Sequence, residues 1–209
     1  MKQFVFKLNQ NLKDRILTPI RTKHQLVILL LNAIKTIRIN RFISDDDSVG
    51  KIMLTIAKMS RLSISMENKV FTFTFPFKVV ESDGDIQVYS DSIGEIESVI
   101  ISEAIEMFSD ERLQNTSCIS EFATYVLEKA ELKPGFWPFI KELLFMEDGY
   151  VRYDIDPERE NGHLHPEHHL DLFYSSRATF KVGLNNQINN DELIDILNTS
   201  TNCHYLSAP

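Results

Sequence analysis

Residues 63–75 read Ser-Ile-Ser-Met-Glu-Asn-Lys-Val-Phe-Thr-Phe-Thr-Phe, and they predict a β-hairpin. Ser63–Met66 and Val70–Phe75 are rich in strand formers, and the polar Glu67–Asn68–Lys69 between them suits a chain reversal. Alternation puts Phe71, Phe73 and Phe75 on one face, which then needs a hydrophobic cover. Pro76 has no N–H for a ladder, so it sets the end of this strand at an edge or a bend.

The flanking sequence supplies the cover. Upstream, Thr22–Asn40 has the helical period, with Leu26, Leu29, Leu30, Ile34 and Ile37 on its buried face. Lys2–Leu8 is rich in strand formers and predicts an edge strand. Ser44 and the acids Asp45–Asp47 suit the start of a second helix, about Asp47–Arg61, where Val49, Ile52, Met53, Ile56 and Met59 recur at helical spacing. Downstream, Ser82–Asp85 is a turn followed by a strand through Ile86, Gln87 and Val88. A helix capped by Asp91 or Ser92 runs to about Phe108, with Ile93, Ile96, Ile100, Ala104 and Met107 inward and Glu95, Glu97, Glu103 and Glu106 on a solvated side. A surface loop over Ser109–Ser117, a helix over Ile119–Leu132 and a short helix over Pro138–Phe145 follow. Helices fill the early and middle chain while strands come in neighbouring runs. The expected fold class is therefore α+β, an antiparallel sheet with helices packed against it.

The 209 residues are 43% hydrophobic and 25% charged, with seven glycines and seven prolines, which excludes collagen-like and wholly disordered chains. Cys118 and Cys203 are too few for a disulfide scaffold or a Cys-rich zinc module. The longest apolar run, Leu26–Ile34, is interrupted by Asn32 and falls far short of the roughly 20 residues that span a bilayer. It also starts too late and lacks the cleavage site of a signal peptide. A cytoplasmic protein that does not enter membranes is expected.

Charge divides the chain. Residues 1–42 hold nine bases and one acid, Asp14; the rest holds 13 of the 22 bases and 29 of the 30 acids, so +8 faces −16. We take 1–42 as a basic segment with the first helix and 43–209 as an α+β body on which that helix packs. Lys13, Arg15, Arg21, Lys23, Lys35, Arg38 and Arg41 are candidates for binding a protein partner or nucleic acid, or for folding back on the acidic body. Nucleic-acid binding normally brings aromatic platforms or a known motif, and neither is present.

The chemical signal lies between Gly149 and Leu184, which hold four of the six histidines. Two strands are expected on either side of residues 157–162, and Ala178–Leu184 supplies a third. In the first, Val151, Tyr153 and Ile155 face one way and Arg152, Asp154 and Asp156 the other; in the second, His169 and Asp171 oppose Leu170 and Leu172. If the leucines pack on the core and the polar faces meet, Arg152, Asp154, His169 and Asp171 form one outward ionisable patch, with Arg177 within reach. These four are the candidate catalytic residues. His165, His169 and Asp171 are candidate ligands for a divalent metal, the only cofactor suggested. Such an ion activates water for phosphodiester hydrolysis. A salt-bridged sheet face and metal-free ligand contact are the alternatives, because His-x-His-Pro-x-x-His-His lacks the fixed helical spacing of a metalloprotease motif.

Arg152–Asp156 (RYDID), His165–Leu170 (HPEHHL) and the closing Asp-Glu-Leu helix resemble the C-terminal part of a bacterial family described only as a domain of unknown function. His165, Pro166, His169 and Leu170 occupy its motif positions. The resemblance covers the last quarter of the chain and implies a bacterial or phage origin and a shared sheet, not a reaction. Small size, two-signed charge and the lack of a catalytic signature point to an accessory or interaction subunit of a bacterial multi-protein system, such as a defence against phage or mobile DNA. The alternatives are a metal-dependent nuclease or phosphodiesterase centred on Asp154, His165, His169 and Asp171, and non-catalytic nucleic-acid binding through residues 1–42.

Overall fold

In the computed structural model, which describes residues 1–16, 20–82, 84–114, 127, 134–173 and 180–204, the Ser63–Phe75 hairpin sits near the middle of a larger sheet. Its strands are β3 (Arg61–Met66) and β4 (Lys69–Thr74). On one side β3 pairs with β2 (Gly50–Ile56), and β2 with the edge strand β1 (Lys2–Leu8). On the other side β4 pairs with β8 (Val151–Ile155), then come β9 (His168–Leu172) and β10 (Phe180–Gly183). All pairings are antiparallel, so the seven-stranded sheet has the order β1-β2-β3-β4-β8-β9-β10. Between β4 and β8 the chain leaves this sheet. It builds a second one from β5 (Lys78–Ser82), β6 (Asp85–Ser90) and the two-residue β7 (Gly94–Glu95).

Helices are α1 (Gln10–Ile16), α2 (Lys23–Arg38), α3 (Ser98–Ser109), α4 (Glu111–Gln114), α5 (Phe136–Phe145) and α6 (Asn190–Ile196). The fold is α+β, and no described helix is long and apolar enough to cross a membrane. Thr22 starts α2 with a capping box: its side chain accepts from the Gln25 N–H while Gln25 accepts from the Thr22 N–H. The buried face of α2, Leu26, Leu29, Leu30, Ile34 and Ile37, joins one core with Ile52, Leu54, Leu62, Ile64, Phe71 and Phe73 of the sheet. A smaller core lies on the opposite face, where Val70, Tyr153 and Leu170 meet Leu193 of α6.

Two expectations are corrected. The stretch expected as a second helix over Asp47–Arg61 is the strand β2, in which Ile52 and Leu54 are fully buried at period two. Partners on both sides and the close approach at Gly50, where an added Cβ would collide with Ser65 O, favour the strand. The helix expected from Asp91 begins only at Ser98: Gly94–Glu95 forms β7, and the Ile96 N–H bonds Val88 O at 2.8 Å. The expected loop after Ser109 contains the single turn α4, and the helix expected over Ile119–Leu132 lies outside the described residues apart from Leu127.

Candidate functional site

The register of β8, β9 and β10 sets the site. Arg152 is paired with Asp171, Asp154 with His169, and Asp171 with Lys181. Residues directly opposite in an antiparallel pair share a face, so all five ionisable side chains lie on one side of the sheet. Arg152 is also opposite Phe71, which places the group on the same face as α2, at the margin of the main core.

The convergence expected from alternation is present, but the patch is not outward. Asp154 is 5% exposed, His169 1% and Asp171 1%. Leu170 packs on the smaller core, so the charged side chains turn toward the larger one, beside Phe71 and the buried ring of Tyr150. Burial of this kind demands compensation, and each charge has it. The Arg152 guanidinium donates from Nε to Asp154 at 2.8 Å and also pairs with Asp171. Lys181 donates to Asp171 Oδ1 and to His169 Nε2, each at 2.9 Å. Among the described residues Asp154 Oδ1 accepts no hydrogen bond and faces Lys69 at 3.8 Å.

The tautomer of His169 follows from its partners. Its Nδ1 is 2.8 Å from Pro166 O, and a carbonyl can only accept, so Nδ1 carries the proton. The Nε2 lone pair then points at Lys181, with Asp154 Oδ2 at 3.7 Å and Asp171 Oδ1 at 4.0 Å. Burial lowers the imidazole pKa below its ordinary 6.5, and the Lys181 charge adds to this against the opposing Pro166 bond and carboxylates. For Asp171, burial pushes the pKa up, but the Lys181 hydrogen bond and the Arg152 charge overcome it and hold the carboxyl below its ordinary value.

One ligand atom from each of Asp154, His169 and Asp171 lies within 4.8 Å of the others, a set able to close on a divalent ion if Lys181 withdraws. His165 is not in this set. Its ring stands edge-on to His169 at 4.7 Å, its Nδ1 is buried without a partner among the described residues, and its Nε2 is 4.0 Å from Asp156. Asp154 completes the described group because register, not chain proximity, brings it opposite His169. His168 is on the far face near the Tyr153 hydroxyl, and Arg177 lies outside the described residues. Lys181, on the third expected strand, joins the group because the β9–β10 register sets it opposite Asp171, a pairing that local sequence does not carry.

Most named bases of residues 1–42 have internal partners. Arg38 pairs with Glu95 at 3.0 Å, Arg41 with Asp85 at 2.9 Å, Lys23 with Asp148, and Arg15 donates to Asn32 at 2.7 Å. Arg21 makes other contacts, Lys13 is half-buried and Lys35 is exposed. Lys23, Arg38 and Arg41 thus face acids of the body, as folding back requires.

Compared with protein-family models, curated proteins and solved structures, the chain matches none.

Proposed function

We propose that this protein is a partner-binding subunit, docking another protein at the β9–β10 end of the sheet within a bacterial assembly of the defence type. The carrying observation is Phe173. Its backbone sits at φ +64°, the left-handed region, and its ring is 61% exposed. That conformation costs a non-glycine residue about 1–2 kcal/mol, and leaving a large apolar side chain in water forgoes roughly 2 kcal/mol of burial. A chain that bears both costs at one position has a use for the ring outside itself. Phe180, 73% exposed at the start of the edge strand β10, offers a second anchor. The test is capture from the native host with wild type and the Phe173→Asp/Phe180→Asp double variant. A partner held by wild type and lost from a variant with an unchanged circular dichroism spectrum supports the proposal. A solitary wild-type monomer, or a partner retained by the variant, overturns it.

A second function, a metal-dependent phosphodiesterase or nuclease, is favoured by the His169 tautomer. An imidazole that donates its Nδ1–H to a backbone carbonyl and holds its Nε2 lone pair, here taken by Lys181, with two carboxylates within 4.0 Å has the outer-sphere arrangement of a metal ligand. Metal content of the purified protein, and nuclease activity of wild type against His169→Ala, decide it: no bound metal and no activity dependent on His169 end this possibility.

A further inference from the structure

We propose that the groove between α1 and α2 binds a small phosphomonoester of a polyol, with Arg15 and Lys35 meeting its phosphate. Asn32, Lys35, Thr36 and Ile39 recur at i, i+3, i+4 and i+7, so they share one face of α2 and its end. That face opens on a groove of about 210 Å³, whose other wall is Asn9, Asn11 and Leu12 at the start of α1. Arg15 reaches across from α1, its Nη1 donating to Asn32 Oδ1 at 2.7 Å. Lys35 follows Asn32 by one helical turn, which sets its ammonium and the guanidinium along the same groove.

Asn32 supplies a second observation. Only it and Thr36 are polar among the buried residues of α2. Both ends of its amide are engaged: Oδ1 holds Arg15, and Nδ2 donates to Ile28 O at 2.8 Å. A carboxylate at this position would grip the same guanidinium and cancel its charge, whereas the amide grips it and adds none. Among the described residues no acid lines the groove, and the exposed Lys35 has no ion pair. A phosphomonoester, with about −1.5 to −2 charge at neutral pH, suits this recess. Its oxygens match a guanidinium fork and an ammonium together. The amides of Asn9 and Asn11 offer donors and acceptors to hydroxyl groups. A nucleic-acid backbone needs a track of bases, and Lys23, Arg38 and Arg41 are instead committed to Asp148, Glu95 and Asp85.

The experiment is thermal unfolding of the full chain, at fixed ionic strength, with glycerol 3-phosphate, inorganic phosphate, glycerol and a single-stranded oligonucleotide. Glycerol 3-phosphate should raise the melting temperature saturably, with inorganic phosphate about tenfold weaker in apparent affinity and glycerol and the oligonucleotide without effect. Lys35→Ala removes an exposed side chain, so the variant folds, and it should bind glycerol 3-phosphate about ten- to a hundredfold more weakly, as loss of a hydrogen bond to a charged group implies. Asn32→Asp should lose the shift, because its carboxylate neutralises Arg15 where the amide does not. If Asn32→Asp does not fold, Lys35→Ala decides alone. No glycerol 3-phosphate shift in wild type, inorganic phosphate or glycerol binding as tightly, stabilisation by the oligonucleotide, or undiminished binding by Lys35→Ala or by a folded Asn32→Asp each overturns the proposal.

Discussion

At His169 the imidazole is neutral because burial disfavours its charge, and the pH dependence of stability follows. With a folded pKa below the unfolded 6.5, the ring's contribution is complete above that value and is lost as pH falls toward the folded pKa. His24, lowered by burial alone beside Phe108, acts in the same sense. The urea midpoint should therefore drop between about pH 7 and pH 5, and His169→Gln should make that drop shallower without abolishing it. An identical slope in the variant would show that the ring is not held neutral by its site. Asp171, whose carboxyl is held below 3.8, adds a separate loss only as pH falls below that value. Lys181 allows a different test. Its ammonium stands at 2.9 Å from both His169 Nε2 and Asp171 Oδ1, near where a divalent ion would sit. Lys181→Ala should raise zinc affinity, measured by calorimetry, by about tenfold or more, since a like charge is removed from the ligand set. Unchanged affinity would mark the three side chains as a purely structural ion network.

At the level of elements, what could be read in advance depended on how many periods a segment satisfied. Leu26, Leu30, Ile34 and Ile37 fit only a helix, and Phe71 and Phe73 only a strand; both elements are where their spacing puts them. Val49, Ile52, Met53, Ile56 and Met59 fit a helix, but Ile52, Leu54 and Ile56 also alternate, so local spacing left β2 undecided. Pairing with β1 and β3 settled it, a long-range effect that no window of sequence carries. The site divides in the same way. Alternation foretold that Arg152, Asp154, His169 and Asp171 share a face, whereas their burial depended on Phe71 and Lys181 coming from neighbouring strands. The N-terminus of α6 is set by a local rule and gives a clean prediction. Asn189 accepts from the Asp191 and Glu192 N–H groups, and Glu192 accepts in return from the Asn189 N–H. Asn189→Ala should cost about 1 kcal/mol in chemical denaturation. A loss under a few tenths would mean that Leu193 packing alone fixes the helix.

On the scale of the whole molecule, the basic and acidic parts of the chain are folded through one another. Residues 1–42 supply the edge strand β1 and the helix α2, whose Leu26, Leu30 and Ile34 are fully buried against the sheet. Each such side chain contributes roughly 2 kcal/mol by leaving water, whereas of the pairs that join the two parts Lys2–Glu81 and Arg41–Asp85 are exposed and worth little, and Lys23–Asp148 and Arg38–Glu95 are half-buried but few beside that packing. The packing of α2, not charge attraction, should therefore hold the segment in place. Added salt should leave the denaturation midpoint almost unchanged. Removing residues 1–42 should leave Ile52, Leu54, Ile64 and Phe73 without their cover. The remaining 43–209 should bind a hydrophobic dye and unfold without a sharp transition, because a sheet stripped of one covering layer keeps its hydrogen bonds but loses cooperative packing. A sharp, two-state transition for 43–209 would instead establish the body as an independent domain. Residues 1–42 would then be a detachable arm, free to carry its bases to an outside partner.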